Sequence, residues 1–175
     1  MVVLKRAFEW LNHNKRALIS WTLLVSWMIL IFILSAQDAD DSSETSGSIL
    51  AAILNIIYPG FKLMNPIDRF IILELYQGII RKLAHFTIFG ILGGLAVNAY
   101  RSLKIQKNSH VAVLAFVTCV IYATLDEIHQ IFVPGRSCEA MDIIIDSSGS
   151  LLFIALSILI IVSIERKKKS IQGNP

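Results

Sequence analysis

Long apolar stretches, each ended by polar or charged residues, dominate the pattern of this chain. An uncharged run over residues 17–34 is close to the roughly 20 residues that a helix needs to cross a bilayer. Three further stretches, over residues 83–100, 111–132 and 143–164, have similar length and apolar content. The pattern therefore predicts an all-α integral membrane protein with four transmembrane helices.

The first apolar run follows a basic start, so a secretory signal peptide is the competing interpretation. The run is longer than the apolar region of a signal peptide, which has about 7–15 residues. The tetrapeptide Ser35-Ala36-Gln37-Asp38 that follows is a weak cleavage sequence. We therefore expect the run to be retained as the first span.

The segment between the first two predicted spans is polar at its start and apolar at its end. Residues 37–47 are acidic and small, which predicts a solvated loop. Residues 48–58 are apolar but too few to cross a bilayer, so we expect a short helical segment that is interfacial or packed on the bundle. Asn65 followed by Pro66 predicts a helix start, with Asn65 as its N-cap.

Composition and charge agree with a membrane protein. Of the 175 residues, 55% are hydrophobic and only 17% are charged, whereas a soluble domain has about 25% charged residues. The cations flank the apolar stretches, as topology signals do, and this distribution does not favour nucleic-acid binding. The positive-inside rule predicts a cytoplasmic N-terminus (1–16) and a basic cytoplasmic tail (165–175). The length of the chain predicts one transmembrane domain (17–164) between them. The two cysteines have no disulfide or metal pattern.

Ionisable residues are concentrated near the predicted outer ends of three spans. A helical rise of about 1.5 Å per residue and a hydrocarbon core of about 30 Å place His85, Asp126 and Asp146 in one layer. Charges in hydrocarbon are costly, so we expect a mutually satisfied polar pocket that faces outward. The candidate site residues are Arg81, His85, Asp126, Glu127, His129, Gln130, Arg136, Asp142 and Asp146.

The residue types suggest separate roles within this pocket. His85 or His129 would transfer protons, oriented by the carboxylate of Asp126 or Glu127. These four residues are the predicted catalytic group. Cations and further polar side chains are predicted to bind the substrate, with two arginines clamping an anionic group. This binding group consists of Arg81, Gln130, Arg136, Asp142 and Asp146.

A metal site is the other interpretation of two histidines among several carboxylates. The nearby Arg81 and Arg136 would repel a cation, however, and the chain has neither H-x-x-x-H nor C-x-x-C spacing. We therefore predict no metal and no cofactor.

Three motifs together resemble those of the VanZ-like family. They are R-K-x-x-H-F from Arg81, D-E-x-H-Q with P-G-R from Asp126 to Arg136, and D-x-x-x-D-x-x-G from Asp142. The similarity covers about residues 34–156. It implies a multi-pass protein of the bacterial cell envelope, associated with teicoplanin resistance. The family often has asparagine at the position of Asp146, which is a departure here.

Two classes of function fit these observations. The first is an enzyme that acts on an anionic lipid or a lipid-linked cell-wall precursor at the outer leaflet of the plasma membrane. The second is a non-catalytic protein that binds lipid, glycopeptide or an envelope partner through a structural polar network. In both, the partners are membrane lipids and not nucleic acid, and the oligomeric state is not predicted.

Overall fold

A computed structural model describes the backbone of residues 2–172 and the side chains of residues 14–171. This part of the chain is entirely helical and contains no strand, which confirms the predicted all-α class. The outermost residues of the predicted cytoplasmic termini, 1 and 173–175, lie outside the described residues. The helices are α1 (Val2–Ser35), α2 (Ala39–Ile57), α3 (Pro66–Ser102), α4 (Asn108–Gln130) and α5 (Ala140–Gln172), with a 3₁₀ segment at Pro59–Leu63.

Four of the described helices are long and apolar enough to cross a membrane, which confirms the predicted number. The candidate spans are Asn14–Ser35, Pro66–Ser102, Asn108–Gln130 and Ala140–Ile171. The second span lies in a helix that begins well before the predicted residue 83. At about 1.5 Å per residue, the 37 residues of α3 extend about 55 Å, longer than the roughly 30 Å hydrocarbon core.

The outer surface of the bundle is apolar, as a lipid-facing surface must be. Ile33, Val113 and Leu159 are each about 60% exposed, whereas Phe89 and Leu92 are buried in the core. A surface of this kind would be unfavourable in water over so large an area. It fits helices that cross a membrane.

The prediction of a solvated loop over residues 37–47 is wrong, because α2 begins at Ala39. The Asp38 side chain caps the helix by accepting a hydrogen bond of 2.8 Å from the Asp41 backbone N–H. Acidic residues in a first turn also interact favourably with the helix dipole. The predicted start of α3 is confirmed, because the Asn65 side chain accepts from the Ile67 N–H at 3.0 Å.

Helices α3 and α5 run parallel and in very close contact. A Cβ on Gly149 would overlap the carbonyl oxygen of Phe86, and a Cβ on Gly93 would lie 2.7 Å from the carbonyl oxygen of Ser150. Small residues allow this approach of two helices. The contact places His85 on α3 beside Asp146 on α5.

Helix α1 is fixed between α3 and α4 by side-chain hydrogen bonds to its neighbours. The Trp27 indole donates to the Ile88 carbonyl of α3 at 3.0 Å, and the Tyr122 hydroxyl of α4 donates to the Met28 carbonyl. These contacts place Ser35, the last residue of α1, against the last turns of α4. One end of the bundle therefore combines the ends of α1 and α4 with the start of α5.

Candidate functional site

Three of the predicted residues meet where α3, α4 and α5 converge. One nitrogen of His85 and one carboxylate oxygen each of Asp126 and Asp146 lie within 4.8 Å of one another. The His85 Nδ1 is 3.6 Å from Asp146 Oδ1. Asp146 is fully buried and Asp126 is 3% exposed, so both carboxyl groups are removed from solvent. We call these three residues the acid–imidazole cluster.

Asp126 is oriented through one of its two oxygens. Its Oδ2 accepts from the Ser35 hydroxyl at 2.8 Å and from the Gln130 amide at 3.5 Å. Its Oδ1 is buried without a hydrogen-bond partner in the protein. Both oxygens of Asp146 are likewise unpartnered. The expectation that the polar groups of the pocket satisfy one another is therefore wrong for this cluster, because buried carboxylate oxygens remain without a hydrogen-bond donor.

Glu127 contacts a different element. Its side chain is fully buried, and Oε2 accepts a hydrogen bond of 2.8 Å from the backbone N–H of Glu139, just before α5. This bond ties the end of α4 to the start of α5. Glu127 is thus placed to hold the segment between these helices, and it is not part of the acid–imidazole cluster.

The two candidate histidines occupy different surroundings. The His129 ring stacks on Phe32 of α1, with ring centroids 4.2 Å apart and an angle of 28° between the planes. His129 does not line the cavities that adjoin His85, whereas its neighbour Gln130 does. His85 is therefore the histidine that a molecule in those cavities would meet.

The two arginines are not bound to the acids. Arg81 donates from Nη2 to the Ser43 hydroxyl at 2.7 Å, and its Nε is buried without a partner. Arg136 donates from Nε to the Gln37 carbonyl at 3.4 Å. Among the described side chains, neither arginine forms an ion pair with a carboxylate. Both guanidinium groups can therefore accommodate a further anion.

Arg136 lies outside the candidate spans, in the segment between α4 and α5. Burial lowers the pKa of its guanidinium below the ordinary value, and the positive charge of Arg81 lowers this pKa further. The carboxylates of Asp126, Glu127 and Asp142 act in the opposite direction. An anion between the two guanidinium groups would reduce their mutual repulsion.

Two cavities meet at the arginines. The first, of about 200 Å³, lies among α1, α2 and α3 and is largely apolar, with Ile31, Leu34 and Ile88 in its wall. The second, of about 250 Å³, is mainly polar and is bounded by α3, the α4–α5 segment and the first turns of α5. Three side chains line both cavities: Arg81, His85 and Arg136.

Several residues of this region were absent from the sequence-based site. Lys82 lies in the polar cavity, with Nζ 3.6 Å from Asp142 Oδ1 and 3.9 Å from Glu139 Oε2. Its position beside Arg81 was a usable signal, since the predicted topology put this cation pair on the outer side, where the positive-inside rule disfavours cations. Ser35 and Ser43 carried no such signal, because a serine that ends one helix or lies within another has no distinctive spacing.

These observations define a multi-pass helical membrane protein with a buried polar site at one end of its helix bundle. A family model described as VanZ/LLP1 matches residues 20–161. The match spans most of the chain, so the chain belongs to the VanZ/LLP1 family, and the resemblance inferred from the motifs is confirmed. Comparison with curated proteins and with solved structures gave no significant match.

Proposed function

We propose that this chain is a protein of the bacterial plasma membrane that acts on an anionic lipid or a lipid-linked precursor of the cell envelope. The observation that carries the proposal is the position of Arg81 and Arg136 where an apolar cavity meets a polar one. An amphiphile needs such a boundary, because its chain and its charged group require different surroundings.

The arginines supply the means of binding. A guanidinium group presents several N–H donors in a plane, which matches the oxygens of a phosphate or carboxylate. Arg81 and Arg136 have no carboxylate partner within the described residues, and the Arg81 Nε is buried without an acceptor. An anionic headgroup between them would satisfy these donors.

The site is proposed to face the outer leaflet. Arg16, Arg101 and Lys168 line a common groove on a different part of the bundle from the site. Cation-rich ends of membrane proteins remain on the cytoplasmic side. With both termini cytoplasmic, the acid–imidazole cluster would open toward lipid-linked cell-wall precursors. Binding there would alter the response of the cell to glycopeptides such as teicoplanin.

The chemistry at the site is proposed to involve His85. Its ring lines both cavities, and its Nδ1 lies 3.6 Å from Asp146 Oδ1, so a small side-chain movement would let the carboxylate orient the imidazole for proton transfer. His85 would exchange a proton with the headgroup held by Arg81 and Arg136. Of the two candidate histidines, its position suits this role better than the Phe32-stacked position of His129 does.

A second candidate function is binding without catalysis. It is favoured by the hydrogen bonds from Ser35 to Asp126 and from the Glu139 backbone to Glu127, which join different elements. Buried polar bonds of this kind stabilise a single packing arrangement. In this alternative, the arginines bind the same anionic molecule or an envelope partner, and no bond of that molecule is broken.

Native mass spectrometry of the purified chain tests the binding step. We expect an anionic lipid to remain bound to the wild-type protein and to be lost when Arg81→Ala and Arg136→Ala are combined. Arg101→Ala, on α3 but hydrogen-bonded to Glu165, is the matched control and should retain the lipid. Equal lipid retention by all three proteins would contradict the proposal.

Two cellular measurements separate catalysis from binding. Lipid extracts of cells with the wild-type protein should contain a product that is absent with His85→Gln, while both proteins are present in equal amount. Cells that lack the protein should also differ from cells that contain it in their sensitivity to teicoplanin. A sensitivity change without any new lipid product would support the binding function and reject the catalytic one.

A further inference from the structure

We propose that His85, Asp126 and Asp146 form a binding site for one divalent metal ion. These side chains come from three different helices, and one donor atom of each lies within 4.8 Å of the others. Donor atoms that share an ion at about 2.1 Å are about 3.0–3.4 Å apart. Small side-chain rotations would therefore bring the three donors to coordinating distance.

The unpartnered atoms of the cluster indicate a ligand. Asp146 is fully buried, and neither of its oxygens has a hydrogen-bond partner in the protein. His85 Nδ1 and Asp126 Oδ1 are also buried without a partner. A buried ionised group is unfavourable unless it is paired or coordinates a metal. A single ion at the centre of the cluster would satisfy donor atoms from all three residues.

Asp126 already has the support that metal ligands usually receive. The Ser35 hydroxyl and the Gln130 amide both bind Oδ2, which fixes the carboxylate and leaves Oδ1 free. Hydrogen bonds to one oxygen of a ligating carboxylate orient the other toward the ion. Ser35 and Gln130 are therefore positioning residues for the proposed site.

Charge balance points to a cation. Two buried carboxylates, Asp126 and Asp146, face a single histidine. The adjacent Lys82 pairs instead with Asp142 and Glu139. Two carboxylates and an imidazole form a mixed oxygen and nitrogen donor set, which suits Mn²⁺ or Zn²⁺.

The earlier objections to a metal came from sequence alone. Repulsion by Arg81 and Arg136 was one of them. These side chains keep their charge but donate to Ser43 and to the Gln37 carbonyl, on the segment after α1, and the carboxylates of Asp126 and Asp146 would offset the charge of the ion. Local ligand spacing was the other. A site assembled from three helices produces no short ligand motif, so the absence of such motifs does not exclude it.

Metal titration of the full-length chain in detergent tests this inference. After treatment with a chelator and its removal, Mn²⁺ binding is followed by electron paramagnetic resonance, with Zn²⁺ as competitor. We expect one ion per chain in the wild-type protein. Asp146→Asn should weaken binding at least tenfold. Glu165→Gln, on the same helix α5 but hydrogen-bonded to Arg101 and outside the cluster, is the matched control and should bind like the wild type.

Replacing a residue that positions a ligand, without changing any charge, distinguishes metal coordination from a general attraction between the ion and the carboxylates. Ser35→Ala keeps all three ligands, yet it should weaken Mn²⁺ binding by about tenfold, because the loss of such support typically costs 10–100-fold in metal affinity. Size-exclusion chromatography establishes that each variant is folded. Absence of Mn²⁺ and Zn²⁺ binding to the wild-type protein, or unchanged binding by folded Asp146→Asn, would overturn the inference. The outcome does not depend on whether a lipid binds between the arginines.

Discussion

The polar groups at the two ends of the helix bundle are arranged in opposite ways. Near the end of α3, Arg101 donates to Asn108 at 2.5 Å and to Glu165 at 2.6 Å, so its charge is paired within the protein. At the site, Arg81 and Arg136 have no carboxylate partner among the described side chains. The Arg101 group is a completed surface interaction, whereas the site retains unused donors and acceptors.

Burial sharpens the difference. The Glu165 side chain is about half exposed, so an ion pair there contributes little to folding. Asp126, Glu127 and Asp146 are almost completely buried, and each has at least one unpartnered oxygen. Groups kept in that state lower stability unless something binds them. The site end therefore retains buried polar atoms that a ligand could satisfy, whereas the charge of Arg101 is paired within the protein.

The largest expected effect concerns the contact that assembles the site. Gly149→Ala should lower the free energy of unfolding by about 3 kcal/mol, because the new Cβ would overlap the Phe86 carbonyl oxygen. Gly94→Ala, nearer the Arg101 end of the same helix pair, would place its Cβ at an ordinary 3.5 Å from Ser157 Oγ. Thermal unfolding in detergent should therefore show a clear loss for the first variant alone. Equal losses of stability in Gly149→Ala and Gly94→Ala would contradict the expectation that the helices are packed more tightly at the site than near Arg101.

A smaller effect is expected from the serine at the end of α1. Ser35→Ala removes a 2.8 Å hydrogen bond to a buried carboxylate, which should destabilise the protein by about 2 kcal/mol. Ser20→Ala, near the middle of α1, removes a 3.0 Å bond from the neutral Asn98 amide and should cost about 1 kcal/mol. Chemical unfolding of both variants measures the difference. A larger loss of stability in Ser20→Ala than in Ser35→Ala would contradict the expectation that the hydrogen bond to the buried carboxylate contributes more.

Replacing one cation by another tests the geometry of the proposed anion site. Arg81→Lys keeps the charge but loses the planar set of donors, so affinity for an anionic lipid should fall by about tenfold. Arg101→Lys serves as the control and should leave lipid affinity unchanged. Titration of both variants in lipid nanodiscs provides the affinities. If Arg81→Lys binds as tightly as wild type, the site recognises charge alone.

The smallest effect is expected at the paired arginine. Arg101→Ala should lower stability by only about 0.5 kcal/mol, because the Glu165 side chain is about half exposed to solvent. Raising the salt concentration should reduce even this difference. Thermal unfolding at low and high ionic strength provides the comparison. A loss of more than about 2 kcal/mol would contradict the small contribution that we expect from a solvent-exposed ion pair.

The sequence predicted the parts of the fold that depend on average hydrophobicity. Four long apolar helices follow from composition along the chain, and Asn65 with Pro66 marked the start of α3 correctly. Residues 37–47 were misinterpreted because acidic and small residues are typical of loops. The same residues can begin a helix when Asp38 caps it, which depends on local hydrogen bonds and not on hydrophobicity.

The sequence identified the residues of the site more fully than it identified the contacts between them. The i, i+3, i+4 spacing of Asp126, His129 and Gln130 puts them on one side of α4. Gln130 nevertheless bonds to Asp126, while His129 stacks on Phe32. A helix face is wide enough to contact two neighbours, so spacing alone cannot assign side chains to one cavity. The pairing of His85 with Asp146 depends on the close α3–α5 approach, which only the packed structure reveals.

The most direct test of the central claim compares two phosphate probes on the full-length chain in a neutral detergent. Dodecyl phosphate carries an apolar chain, and inorganic phosphate does not. Isothermal titration should show much tighter binding of dodecyl phosphate to the wild-type protein and to Arg101→Ala, and loss of that binding when Arg81→Ala and Arg136→Ala are combined. Equal affinity for the two probes, or full retention of binding by the double variant, would contradict a site that joins an apolar cavity to an arginine pair.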